Sequence, residues 1–350
     1  MSHKTYIIAE MAWGHDGKLA NAIKMLEGVK ASGAQAIGIH LTDLKSSMTR
    51  NYKCLAGQTL SSGAKPTTSI FNFLSNINLA SQDWLKFDAK ATELGIDLVA
   101  MCNDYASFLF SKNMRIRKYV ISAASFLELD LIREILKDNH DVILRIGGAT
   151  LEEIDKVINY IFFIEPKSKI TLLAGIQLYP TPIGQLYIKS ISSLAEKYKG
   201  LRVTLGLADH IDGDNPYAIY LPAMALAYGV EVIEKHITTR REEKLEDYEA
   251  ALGIDRFVDF VKFIRAAEEA LGNGSLDYLI NDSYEKYRKV VRKKIVAAKD
   301  LREGDLLTKD MIQFKRSDSG LELDHLEAIL GKTLIKGKKK DEGIEFQDLS

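Results

Sequence analysis

The chain has 350 residues, 46% of them hydrophobic, and its 47 Lys plus Arg against 48 Asp plus Glu leave a net charge of −1. So even a balance excludes a diffuse electrostatic grip on nucleic acid or an anionic membrane, and recognition has to be local. The length exceeds one ordinary compact domain and suits a barrel of about 250 residues with a small module added.

No apolar run approaches the roughly 20 residues that span a bilayer, and the N-terminus lacks the layout of a signal peptide. Cys54 and Cys102 have no CxxC spacing and read as structural thiols of a protein in the reducing cytoplasm.

In chain order, "TYIIAE" (5–10) reads as the first strand and "LANAIKMLEGVKAS" (19–32) as the first helix. Then come strands at "AIGIH" (36–40), "DLVAM" (97–101), "KYVIS" (118–122), "DVILRI" (141–146), "ITLLAGI" (170–176), "RVTLGL" (202–207) and "VEVIEKH" (230–236). Helices such as "DWLKFDAKATEL", "LDLIREILKD", "TLEEIDKVINYIF" and "PYAIYLPAMALAYG" lie between them. Strand runs apolar on both faces, alternating with amphipathic helices, predict a parallel sheet wrapped by helices. Eight such units predict closure into an α/β (β/α)₈ TIM barrel over 1–271. An open doubly wound sheet is the competing fold, but no GxGxxG follows the first strand. The stretch 45–75, rich in Ser, Thr and Lys, interrupts the rhythm as a loop or lid over the mouth. Residues 272–293 are polar, lack a core period and read as a linker; 294–350 read as short strands with one short helix near 323–330, a module small enough to need a larger neighbour.

Barrel enzymes carry their chemistry at the C-terminal ends of the strands. Here those ends hold Glu10, His40, Ser122, Arg145, Gln177 with Tyr179, Asp209 with His210, and Glu234, Lys235 and His236. Histidine is used only seven times in the chain, yet two successive strands, the seventh and eighth, finish on one. Neighbouring parallel strands run about 4.8 Å apart, close enough for His210 and His236 to share one ion at roughly 2.1 Å. Two imidazoles with open positions suit Mn²⁺, Fe²⁺, Co²⁺ or Zn²⁺ rather than Ca²⁺. Either histidine could instead bond a loop carbonyl. Asp209 and Glu234 could hold the ring tautomers, bind substrate hydroxyls or form surface ion pairs. In "LRIGGATLEEI" (144–154), Thr150 and Glu153 match a capping box, and the helix N-terminus together with Arg145 could hold a phosphate or carboxylate.

These residues resemble the sialic acid (N-acetylneuraminate) synthases and their relatives that make pseudaminic and legionaminic acids, including the spore coat polysaccharide branch. "IIAEMAWGHDGKLANAIKMLEGVKASGAQAIGIH" resembles the family's IIAEIGxNHNGxxxxAxxLIxxAKxAGADAVKFQ. "GLADH", "VIEKHIT", "ILRIGGATLEEI" and "LYPTP" resemble its GxSDH, VIEKHFT, ILSTGMATLEEI and xYPAP, and the tail from about 294 resembles its antifreeze-like, β-clip (SAF) domain.

The resemblance implies a transferase that condenses phosphoenolpyruvate with an N-acylated hexosamine to a nine-carbon 2-keto acid, with phosphate released. It implies a divalent metal on His210 and His236, for which Mn²⁺ is the expected ion and Mg²⁺, Co²⁺ or Zn²⁺ the alternatives. Glu10, Glu234 and His236 take the catalytic positions. Ser122, Arg145, Gln177, Tyr179 and Asp247 stand where substrate contacts are expected. Arg316, in "FKRSDSG", matches an arginine that reaches the partner subunit's site, which implies a domain-swapped homodimer.

The departures lie in the phosphate cradle. The lysine of VKFQ is Gly38, that of KIxS is Tyr119 with Lys118 next door, the serine of STGM is Arg145, that of GxSDH is Ala208, and the asparagine of GINHNG is Gly14. At about 1.5–3 kcal/mol per charge-assisted bond, two lost cations would weaken phosphoenolpyruvate binding more than tenfold unless Arg145 compensates. The alternatives are a metal-dependent aldolase or lyase that uses no phosphate donor, and a silent relative that binds a carbohydrate or a partner enzyme.

Overall fold

The structure is a computed structural model and describes residues 4–52, 69–138, 140–165 and 167–350. Cys54 and the middle of the 45–75 stretch lie outside the described residues. The chain divides into two compact units, Met1–Gly272 and Asn273–Ser350.

The first unit is a closed parallel barrel. Its strands are β1 (Tyr6–Glu10), β2 (Ala36–Leu41), β3 (Asp97–Cys102), β4 (Ile116–Ile121), β5 (Val142–Arg145), β6 (Ile170–Ala174), β7 (Val203–Asp209) and β8 (Val232–Thr238), and β1 pairs with β8 to close the ring. A short β9 (Leu252–Gly253) adds to the end of β8.

Alternation along each strand sorts the side chains into two cores. Ile8, Ala36, Val99, Met101, Val120, Ile143, Leu173, Ala208 and Val232 fill the barrel interior. Ile7, Ala9, Ile37, Ile39, Leu98, Ala100, Tyr119, Ile121, Leu144, Leu172, Leu207, Ile233 and Ile237 face the helices. Every strand is therefore apolar on both faces, which is why hydropathy alone shows no period-2 signal here.

The helices that cover the barrel include Leu19–Ser32, Ser81–Leu94, Leu129–Lys137, Leu151–Ile164 and Ile254–Leu271. The helix at Leu151 starts where the sequence predicts it. Thr150 Oγ1 accepts from Glu153 N at 3.2 Å, and Glu153 Oε2 accepts from Thr150 N at 2.8 Å. We expect Thr150→Ala to lower stability by about 1 kcal/mol in urea titration, because it orphans a helix N–H. The helix predicted within "PYAIYLPAMALAYG" is instead a 3₁₀ run, Leu221–Tyr228, with a proline in its first turn. Stacked 3₁₀ turns suit a stretch where Pro222 removes a donor.

The stretch 272–293, read as linker, contains a 3₁₀ turn, Asp277–Ile280, and an α-helix, Asp282–Val291, capped by Asn281 Oδ1 accepting from Tyr284 N at 3.0 Å. In the second unit β10 (Lys294–Ala297) pairs antiparallel with β11 (Ile312–Lys315). Ile295, Ala297, Leu301, Leu307, Ile312, Ile329, Leu334 and Ile344 form its own core.

Candidate active site at the barrel mouth

The parity that fills the interior also selects which strand-end groups enter the mouth. Glu10, Gly38, His40, Ser122, Arg145, His210, Glu234 and His236 continue the inward sets of their strands, two residues apart from core positions such as Ile8, Ala36, Val120, Ile143, Ala208 and Val232. Register brings them level: Glu10 is the Cα partner of both Gly38 and His236, and Ala208 of Glu234.

The two histidines from β7 and β8 stand together, with ring centres 5.3 Å apart and planes tilted by 55°. Both rings are buried. His210 Nδ1 lies 2.8 Å from the carbonyl oxygen of Ile176 and so carries the proton, which leaves Nε2 as a bare lone pair. The Nε2 atoms of His210 and His236 are buried without a hydrogen-bond partner. Burial pushes His210 down to about 3 and His236 well below its ordinary value, so both rings are neutral near pH 7. Two neutral imidazoles with unused nitrogens at this spacing fit a shared divalent cation bound at about 2.1 Å from each. Among the described residues no group of three or more His, Cys, Asp or Glu is arranged to hold a metal, so the pair leaves the other coordination positions for water or substrate. Tyr179 lies over the pair, 4.4 Å from the His210 ring centre and 5.6 Å from that of His236, and its hydroxyl donates to Gln177 Oε1 at 2.6 Å.

Across the mouth, Arg145 Nη2 donates to Glu234 Oε1 at 2.5 Å and lies 3.5 Å from Glu10 Oε2. All three side chains are buried. Burial raises Glu10 and Glu234 above the ordinary carboxylate range, and Arg145 offsets part of that rise. Glu10 Oε1 also accepts from Ala12 N at 2.8 Å and lies 3.5 Å from His40 Nε2. A side chain at position 38 would displace the Glu10 carboxylate from where it stands, since a Cβ would lie 2.3 Å from Glu10 Oε2.

Several expectations are corrected. Asp209 does not orient a histidine. One residue out of phase with His210, it faces outward and accepts from Lys235 Nζ at 2.6 Å in a fully buried pair that ties β7 to β8 behind the histidines. Glu234 is engaged by Arg145 instead of a ring nitrogen, and neither acid forms the surface pair that was the alternative. Arg145 points into the barrel and pairs with Glu234, while Thr150 and Glu153 form the capping box at the start of the helix. Tyr119 packs in the outer core against Phe108 and shares a hydrogen bond with Ser111. Lys118 pairs with Asp141 at 3.0 Å beside the ring of Tyr6, at the opening where the strands begin. Neither replaces a lysine at the mouth.

Of the remaining candidates, Ser122 is buried at the end of β4 and accepts from Ser125 N at 3.3 Å. Gln177 presents a buried, unpartnered Nε2. Burial raises the Tyr179 hydroxyl, and the charge of Asp247, which sits in the left-handed backbone region at φ 63°, adds to that rise. Arg316 is exposed in the second unit, just after β11.

The sequence reading assigned no role to two residues. His40 is inward by parity, and its position at the end of β2 was the available signal. Arg241 pairs with Asp212 and Asp214 and donates to the carbonyls of Tyr248, Glu249 and Ala251, which shapes the loop around 240–250; nothing in its sequence context announces that.

Comparison with known proteins gives this geometry a lineage. The chain matches the family described as "NeuB family" over residues 25–276 and the "SAF domain" over 292–350. It is 29% identical over 345 residues to a pseudaminic acid synthase of Campylobacter jejuni, spanning 99% of this chain and 95% of the relative. It is 28% identical over 348 residues to an N,N'-diacetyllegionaminic acid synthase of the same species, spanning 97% and 98%. Among solved structures, a Chromobacterium violaceum protein described as spore coat polysaccharide biosynthesis protein E shares the fold with a TM-score of 0.79, at 20% identity over 99% of this chain and all (100%) of that one.

Proposed function

The chain belongs to the NeuB family and ends in a SAF domain, and from that premise we propose that it condenses a three-carbon donor, phosphoenolpyruvate or a related keto acid, with the open-chain aldehyde of an N-acylated hexosamine. The product is a sialic-acid-like 2-keto acid. One observation carries the reading: two neutral, unpartnered imidazole nitrogens share the mouth with a guanidinium and two buried carboxylates, so that groups for a cation, an anion and a proton meet in one space.

His210 and His236 would hold the divalent metal, with Mn²⁺ the expected ion and Mg²⁺, Co²⁺ or Zn²⁺ the alternatives. A divalent cation bound there would supply Lewis acidity toward the acceptor's aldehyde oxygen. The protein's own groups do the rest. Arg145 Nε, buried and unpartnered, and the free amide of Gln177 orient the donor's carboxylate. Glu10, kept dry and raised above the ordinary carboxylate range by burial, is placed to move a proton, and Glu234 holds Arg145 in place. Tyr179, Ser122 and Asp247 line the acceptor's side, and Arg316 completes the site from a partner in a domain-swapped homodimer. A cytoplasmic biosynthetic role fits these substrates.

The test is to incubate the full chain with Mn²⁺, either donor and a panel of N-acylhexosamines, and to look for the condensed keto acid by mass spectrometry. Product with at least one sugar is expected. Its absence across the panel, with both donors, would refute the reading in favour of a silent carbohydrate-binding relative.

A further inference from the structure

The loop that follows β8 is closed at its base where β9 pairs with the strand's end, Ile237 opposite Leu252 and Thr238 opposite Gly253. Above that base the segment lies against the loop after β1: the Glu246 carbonyl oxygen is 3.8 Å from where a Cβ on Gly14 would stand. Two of its residues, Lys244 at φ 48° and Asp247 at φ 63°, hold left-handed backbone angles that side chains disfavour. Such angles persist only where the surroundings fix them.

Arg241 supplies that fixing. Its Nη1 donates to the carbonyl oxygen of Tyr248, to that of Glu249 at 3.1 Å and to that of Ala251 at 2.6 Å. Its Nε and Nη2 donate to Asp214 at 2.7 and 2.9 Å, and Nη2 also reaches Asp212 at 3.0 Å. Both carboxylates belong to the loop after β7, so one guanidinium ties together the segments that leave the strands of His210 and His236. The backbone adds a second tie, Gly213 N donating to the Glu249 carbonyl oxygen at 2.7 Å. The two segments approach so closely that a Cβ on Gly213 would stand 1.9 Å from the Ala251 carbonyl oxygen and 2.1 Å from Arg241 Nη1. From beneath, Arg256 on the helix Ile254–Leu271 donates to the carbonyls of Gly213 and Asn215. A lysine could not replace Arg241, because a point-like ammonium has no fork to span a carboxylate and several carbonyls at once. Asp247 thus stands on a segment whose course Arg241 sets, and a contact fixed before binding loses less freedom when a ligand docks.

We propose that Arg241 is the positioning residue for the acceptor: by tying 248–251 to Asp212 and Asp214, it holds Asp247 where the sugar's hydroxyls meet it. This rests on the acceptor side assigned above to Asp247 and adds the residue that sets that side's shape. Arg241 acts through the loop, not on the reacting atoms.

Equilibrium dialysis of labelled N-acetylglucosamine, N-acetylgalactosamine and N-acetylmannosamine against the full chain with Mn²⁺ reads the assignment without turnover. Arg241→Gln should bind the wild type's preferred sugar about tenfold more weakly or worse, with affinities for phosphoenolpyruvate and pyruvate kept within about twofold and metal stoichiometry unchanged. Arg241→Lys should not restore the sugar. Gly213→Ala, which wedges the two segments apart and leaves Arg241 in the chain, should show the same split. Asp214→Asn, a change at an exposed side chain and the variant to use if the others precipitate, should show a smaller one of about threefold. Amide hydrogen exchange over 244–251 should quicken in each variant. Unchanged exchange there overturns the assignment, as do sugar and donor affinities that fall alike or not at all, full rescue by Arg241→Lys, or a wild-type chain that binds none of the three sugars. Condensed product is read separately: its absence with every sugar sinks the condensation, whereas a selective loss of sugar binding supports the role of Arg241 either way.

Discussion

His236→Ala is expected to abolish stoichiometric Mn²⁺ binding and to weaken residual affinity by more than about 100-fold, since even partners one shell removed from a metal are worth 10–100-fold. The imidazole has no hydrogen bond through Nε2, so its removal breaks none there and leaves the barrel folded. Circular dichroism unchanged from wild type alongside lost metal in equilibrium dialysis is the supporting result. Full metal content in the variant would sink the assigned pair. Ile176 adds a check on the same geometry. Its carbonyl fixes the His210 tautomer, so His210→Gln, which loses that restraint, should behave like the alanine variant of its neighbour.

Arg145→Gln should produce the largest loss of stability of any single change at the mouth. It strands Glu10 and Glu234, two buried carboxylates, without their shared cation, and breaking a buried pair from one side costs about 3–5 kcal/mol. At about 2–4 °C per kcal/mol for a domain of this size, thermal unfolding should come roughly 10 °C earlier. The deficit depends on pH with a definite sign. Both carboxyls are already raised in the folded chain, and removing Arg145, which lowers them, raises them further. The folded variant then binds more protons than the unfolded chain above the ordinary glutamate value of about 4.3, so its stability falls as pH rises through that value toward neutrality. Scanning calorimetry from pH 4.5 to 8 should show the gap from wild type widening with pH; a constant gap would mean the carboxylates are not its cause.

Much of this architecture is legible in the chain. The strands lie within a few residues of where β-branched runs place them, and the capping box at Thr150 and Glu153 marks a helix start because its chemistry is local. Facing is harder to read. On a strand buried on both sides, Asp209 and His210 look like equal candidates, and residue type alone cannot say that one enters the mouth while the other braces the back. Parity resolves it, because Asp209 and Lys235 are each one step out of phase with a histidine. Pairing between distant segments stays hidden. Arg145 in the sequence looks like a vacant anion ligand, and only the fold brings Glu10 and Glu234, 135 and 89 positions away, onto it. Nor does the sequence foretell that Arg241 gathers three carbonyls of its own loop.

The pairing of β1 with β8 sets Glu10 beside His236, the opening segment of the barrel beside its final one. During synthesis the first of these emerges from the ribosome long before the second exists, so a nascent chain holds only a fragment of the chemistry. The cluster is complete only once the last staves are fitted, and a product truncated before residue 232 would lack both Glu234 and His236 however well its earlier repeats had packed.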